Sequence, residues 1–155
     1  MTRLNVGLAT GLLIGLGIFA PPPSQAQTGQ SFYAVTPCRV VDTRVPIDSA
    51  AVKRGAFADD ENRAYTFSTS TDCPGLPSTA TAWSLNIQIR PLTQPAFLTA
   101  YPDGVTRPLV SALVGYPGTW IVNNALVPAG SNGTFDVYCQ YAANVVIDVN
   151  GYFAP

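Results

Sequence analysis

Residues 80–90 form the most regular strand-like run, in which apolar Trp83, Leu85, Ile87 and Ile89 alternate with polar Ser84, Asn86, Gln88 and Arg90. Successive side chains of a strand point to opposite faces, so this run has one face for a core and one for water. Shorter strand-like runs fall at 32–36, 38–44, 64–68, 97–101, 109–114, 120–127, 134–141 and 144–153. Turn residues separate them, as at Pro102-Asp103-Gly104 and Tyr116-Pro117-Gly118. Ser131-Asn132-Gly133-Thr134 reads as a hairpin turn, which also accounts for its match to a glycosylation sequon. Nothing beyond residue 26 has a helical period. About nine short strands predict an all-β fold, an antiparallel β-sandwich of jelly-roll or Ig-like type, with a closed β-barrel as the alternative.

Charge narrows the function classes. Only 11% of the residues are charged, against about 25% in an average soluble domain. There is no basic patch interleaved with aromatics, so nucleic acid is not an expected partner. The chain has no histidine, which removes the commonest general base and metal ligand. Carboxylate pairs could be drawn from Asp103, Asp136 and Asp148, but no spacing selects them. A Ser-Asp pairing would need a lysine base, and the only lysine is Lys53. The expectation is no enzyme, no catalytic residue and no cofactor.

Arg3, the apolar run 8–19 and the small residues Ser24 and Ala26 read as a secretion signal cleaved after Ala26. The run is short for a membrane span. The chain then divides into a signal peptide (1–26), a short polar tail (27–31) and a single β-sandwich domain (32–155). No membrane contact is expected after cleavage, and the mature protein is expected to be secreted, extracellular or at the cell surface.

An exported chain can form disulfides. Of Cys38, Cys73 and Cys139, the first two flank prolines at segment ends, where a bridge would staple a long loop. Such closure is worth about 4 kcal/mol in the chain-entropy picture. Cys139 shares an apolar face with Phe135 and Val137 and reads as a buried thiol, with pairing between chains as the alternative.

Residues 45–63 form a long, charge-rich connection. Its Asp59-Asp60-Glu61 could be drawn to Ca²⁺ but lacks an EF-hand spacing, so it reads as a solvated acidic turn with no metal expected.

The informative residues are polar ones inside strands: Asp42, Arg44, Asn86, Asn124, Asp148 and Asn150. Buried polar groups normally satisfy one another. These six therefore read as a structural network in which Arg44 forks onto Asp148 or Asp42 and locks the first strands to the last across the interior. On that reading Arg44→Ala abolishes folding or secretion. A Ca²⁺ or sugar site is the competing reading.

The runs Thr36-Pro37-Cys38-Arg39-Val40-Val41-Asp42-Thr43-Arg44, Cys73-Pro74-Gly75-Leu76-Pro77, Ser84-Leu85-Asn86, Asn124-Ala125-Leu126-Val127-Pro128 and Asp148-Val149-Asn150-Gly151-Tyr152-Phe153 resemble a β-rich module of secreted bacterial proteins. That module reads roughly TPCR-VDTR … DVNGYF. The resemblance covers nearly all of the chain after residue 31. Pro74 directly follows Cys73, where the usual pattern has Gly-x-Pro, and Cys139 lies outside the pattern. The resemblance implies export and a module found alone, in tandem or attached to other exported proteins, but no activity.

The expected function is a secreted, non-enzymatic interaction or structural module of the cell surface. One alternative is binding of glycan or cell wall, with polysaccharide as partner. Tyr101, Tyr116, Trp120 and Tyr138 would then face the ligand, since aromatic rings stack on sugars; Trp83 is a further candidate. The other alternative is a fibre subunit that self-associates through strand edges.

Overall fold

The alternation of residues 80–90 is realised in β3 (Ala82–Pro91), whose Trp83, Leu85, Ile87 and Ile89 are completely buried. The structure is a computed structural model that describes residues 29–45 and 55–155. The expected signal peptide, Asp48, Lys53 and Arg54 lie outside the described residues. The other strands are β1 (Ser31–Asp42), β2 (Glu61–Thr66), β4 (Ala96–Pro102), β5 (Leu113–Gly115), β6 (Ile121–Pro128), β7 (Thr134–Cys139) and β8 (Ala143–Ala154). Two short 3₁₀ turns, Phe67–Thr69 and Ser131–Gly133, are the only helical elements among the described residues, and none of these is long and apolar enough to cross a membrane.

The first sheet runs β1-β8-β3-β6 and the second β2-β7-β4-β5. β1 pairs with β8, β2 with β7, β3 with β6 and β4 with β5, all antiparallel. The chain is thus one long two-stranded ribbon whose tip lies between β4 and β5. Folding that ribbon over itself brings β8 beside β3 and β7 beside β4. This is the jelly-roll arrangement. It excludes the Ig-like alternative, in which the first two strands share a sheet. Neither sheet closes on itself, so the barrel alternative is also excluded.

The inner faces meet in an apolar core. Val41, Val145, Ile147 and Val149 join the β3 row from one side, with Tyr65, Leu98, Phe135 and Val137 opposite. Phe67 stands edge-on to both Trp83 (5.2 Å) and Phe135 (4.8 Å), tying the layers together. The Trp83 indole donates to the Gly133 carbonyl at 2.7 Å, so its one polar atom is satisfied. This places Trp83 in the core and not on a ligand face.

Three expectations change. Among the described residues eight strands form, not nine, because 32–36 and 38–44 join in β1, with a register break between Ala34 and Cys38 that absorbs Pro37. The 109–114 run shrinks to β5, only three residues long. The Asn132-Gly133 turn makes no hairpin: both residues take positive φ, as expected, but the turn carries the chain from β6 in one sheet to β7 in the other. Turn chemistry fixes a reversal of direction and leaves the choice of sheet to packing.

Cys38 and Cys73 are bonded, with Cα atoms 5.7 Å apart, and tie β1 to the turn after the first 3₁₀ segment. Cys139 is completely buried and donates to the Tyr141 carbonyl at 3.1 Å. Burial pushes its thiol up to about 11. Pairing of Cys139 between chains is therefore blocked without unfolding. Reduction, or Cys73→Ser, is expected to lower the unfolding free energy by about 4 kcal/mol in urea titrations. In the native protein Cys139 is expected to stay silent to a thiol reagent until urea unfolds the chain; prompt labelling would contradict its placement.

Candidate functional site

Side chains on the outer face of the first sheet follow from the same alternation. The inner parity of β3 and β8 is apolar, so Ser84, Asn86, Gln88, Val146 and Asp148 must point outward. Register then lines up Arg39, Asp148, Asn86 and Asn124, one from each strand, as a polar row across the whole sheet. At about 4.8 Å between strands the row is roughly 14 Å long. Asn150 stands just beside it, at the bulge where β8 passes from Val149 opposite Leu85 to Gly151 opposite Ser84.

Arg39, Asp42, Arg44 and Asp148 on this face neutralise one another, while Arg90 donates to the Gly118 carbonyl. Arg39 Nε and Nη2 donate to the two carboxylate oxygens of Asp148, at 2.8 and 3.2 Å. Arg39 Nη1 also reaches Asp42 Oδ2 at 3.5 Å. Arg44 forks onto Asp42 through Nε (2.8 Å) and Nη2 (2.5 Å), and its backbone N–H donates to Asp42 Oδ1 at 3.1 Å. This Asx-type turn ends β1. Buried Thr43 then fastens the end of β1: its N–H donates to the Val145 carbonyl and its Oγ1 accepts from the Val145 N–H. The Arg44 guanidinium lies 5.7 Å from the centre of the Trp120 ring. The result is a chain Asp148–Arg39–Asp42–Arg44–Trp120 along one side of the row.

The proposed lock of Arg44 on Asp148 across the interior is therefore corrected. Arg39 holds Asp148, Arg44 takes its other expected partner Asp42, and both pairs lie on the outer face. Arg44 is 48% exposed at its side chain, too open to be essential for folding. Parity within a strand does not mark Arg39, because the register breaks of β1 set it opposite Asp148.

Beside this chain the face is concave. A groove of about 430 Å³ is lined by Pro37, Cys38, Arg39, Asn86, Asp148 and Asn150. Two atoms in it stand out. The side-chain carbonyl oxygens of Asn86 and Asn150 are buried, yet neither has a hydrogen-bond partner among the described residues. An unsatisfied buried acceptor costs about 1–3 kcal/mol. A network evolved only for stability would satisfy them. Asn124, the last member of the row, is exposed on the edge strand.

Phe32 adds a ring to this face. It packs onto the outward side of Gly151, where an added Cβ would stand 2.3 Å from the ring. Gly151 is therefore required for the close approach. Phe32 also meets Phe153 at 5.1 Å and remains half exposed.

The expected ligand-facing aromatics do not share a face. Tyr101 and Tyr138 are buried in the second sheet. Their hydroxyls donate to Asn62 Oδ1 (2.8 Å) and Asp60 Oδ1 (2.5 Å), and Arg107 stacks 3.7 Å over the Tyr138 ring. Tyr116 is exposed in the turn between the sheets, and Trp120 is partly buried beside Arg44.

The acidic triplet is engaged by protein groups. Asp59 accepts from the Ala142 N–H, Asp60 from Tyr138, and Glu61 from Ala58 N–H and Arg63. Arg63, at the end of the charge-rich connection expected over residues 45–63, is instead buried in β2. It donates to the Gly55 and Ala56 carbonyls and lies over Phe57. The carboxylates Asp136 and Asp148 stand on different sheets.

No protein-family model matches the chain, and no curated protein matches it.

The Arg44 guanidinium hydrogen-bonded to Asp42 holds that carboxyl below its ordinary range. A depressed native value stabilises the fold above the unfolded value, near pH 4, and that stability is lost as pH falls through the native value. Acid titration of stability is expected to be flat from neutral to about pH 5 and to fall below about pH 4. Asp42→Asn should make that fall shallower. Arg44→Ala is expected to cost only about 1 kcal/mol, as exposed pairs do, and to fold; a chain that fails to fold would restore the interior lock.

Proposed function

We propose that this chain is a secreted, non-enzymatic interaction module whose outer-face groove binds a polyhydroxylated ligand, a glycan of the cell surface or its surroundings. The observation that carries this reading is the pair of buried, unpartnered carbonyl oxygens on Asn86 and Asn150 beside the groove. They need donors from outside, and hydroxyl groups supply donors without bringing charge. The flanking Arg39–Asp148 and Arg44–Asp42 pairs are already neutralised, which disfavours a strongly charged ligand. Half-exposed Phe32, packed on Gly151 of the same outer face, offers a ring for the apolar face of a sugar. The bonded Cys38–Cys73 pair and the reading of residues 1–26 as a signal support export. The resemblance to secreted bacterial modules supports the same assignment.

The test separates binding from structure. Asn86→Leu removes the orphaned acceptor and keeps the γ-branched shape of the side chain. If the carbonyl serves a ligand, this variant melts at or above the wild-type temperature and loses retention on immobilised neutral polysaccharides and isolated peptidoglycan. If Asn86 is instead part of a self-satisfied network, the variant melts several degrees lower. Wild-type protein that is retained by none of these matrices would sink the reading.

A further inference from the structure

An exposed strand edge invites another strand, and folded chains usually obstruct such edges. Among the described residues, three of the four edges are obstructed. β1 carries Pro37 and two register breaks, and its end is tied down by Arg39, Asp42 and the Cys38 bridge. β2 is six residues long and carries Glu61 and Arg63. β5 has only three residues. β6 differs. It is eight residues long, regular against β3, contains no charged residue, and has Pro only at its last position. On its outward face Val122 and Leu126 are 53% and 64% exposed.

The order of residues in β6 suits a copy of itself. Antiparallel pairing about a two-fold axis at Asn124 sets Val122 opposite Leu126 of the second copy, and Asn124 opposite Asn124. On the inward parity it sets Ile121 opposite Val127 and Asn123 opposite Ala125. Every outward pair is apolar with apolar or amide with amide, and no like charges meet. A two-fold contact must be self-complementary in this way.

We infer that β6 is the contact strand of a symmetric dimer, in which the two first sheets join into one eight-stranded sheet. Asn124 of each copy then meets the other at the centre. The polar row Arg39–Asp148–Asn86–Asn124 continues into the second copy as its mirror sequence, which doubles the length of polar face available to a ligand. The inference stands independently of what the groove binds.

Light scattering coupled to size exclusion tests it over a range of micromolar concentrations. The wild-type chain should read twice its monomer mass at the upper end. Val122→Lys leaves the exposed position soluble and should halve that mass without moving the melting temperature of the monomer. Adding Leu126→Glu to Val122→Lys sets lysine opposite glutamate across the axis and should restore the doubled mass, now in a salt-sensitive form. A wild-type chain that stays monomeric throughout overturns the inference. So does a Val122→Lys chain that dimerises like wild type. A double variant that stays monomeric overturns the register.

Discussion

The ladder between β1 and β8 is the constraint on which the rest depends. It joins the first and last strands, so its formation requires closure of nearly the whole described chain. Loop closure over such a separation is costly and is repaid only when the other ribbon pairs form with it. Thr43, seated between strands at Val145, and the Arg39–Asp148 fork are the specific contacts that fix its register. A slip by one residue would turn Val145, Ile147 and Val149 outward and carry Asp148 into the core. The polar residues of this face thus serve two ends: they forbid the wrong register, and they furnish the groove.

Much of the fold was legible because one side of every strand must be apolar. The β3 alternation marked its inner face residue by residue, and the Cys38–Cys73 bridge followed from segment ends and compartment. The topology was less legible. Asn132-Gly133 announces a reversal whether the next strand joins the same sheet or the facing one, and only the packing of Trp83 against Gly133 decides. Arg63 falls at the end of a charge-rich connection, and sequence cannot show that Phe57 and two carbonyls enclose it.

The site was legible in its members and not in its wiring. Asp42, Asn86, Asn124, Asp148 and Asn150 were marked because polar residues sit badly in strands. Arg44 holds Asp42, one of its two expected partners, while Asp148 goes to Arg39, because the two β1 register breaks shift which arginine meets which carboxylate. The aromatics misled for a related reason. Tyr101 and Tyr138 have outward parity, but the segment carrying Arg107 folds over them. Parity locates a face and does not reveal what covers it.

Because Ser31 lies opposite Ala154, both ends of the ribbon leave the domain at one pole. A pull applied through flanking segments would load the β1–β8 hydrogen bonds one after another, as a zipper opens, instead of all together in shear. Such a joint yields at low force. Peeling from Ser31 would stop at Cys38, where the bond to Cys73 hands the tension to the body of the sandwich. The disulfide therefore divides the domain mechanically, into a short compliant leader of seven residues before Cys38 and a body that tension along the chain cannot unwind from that side.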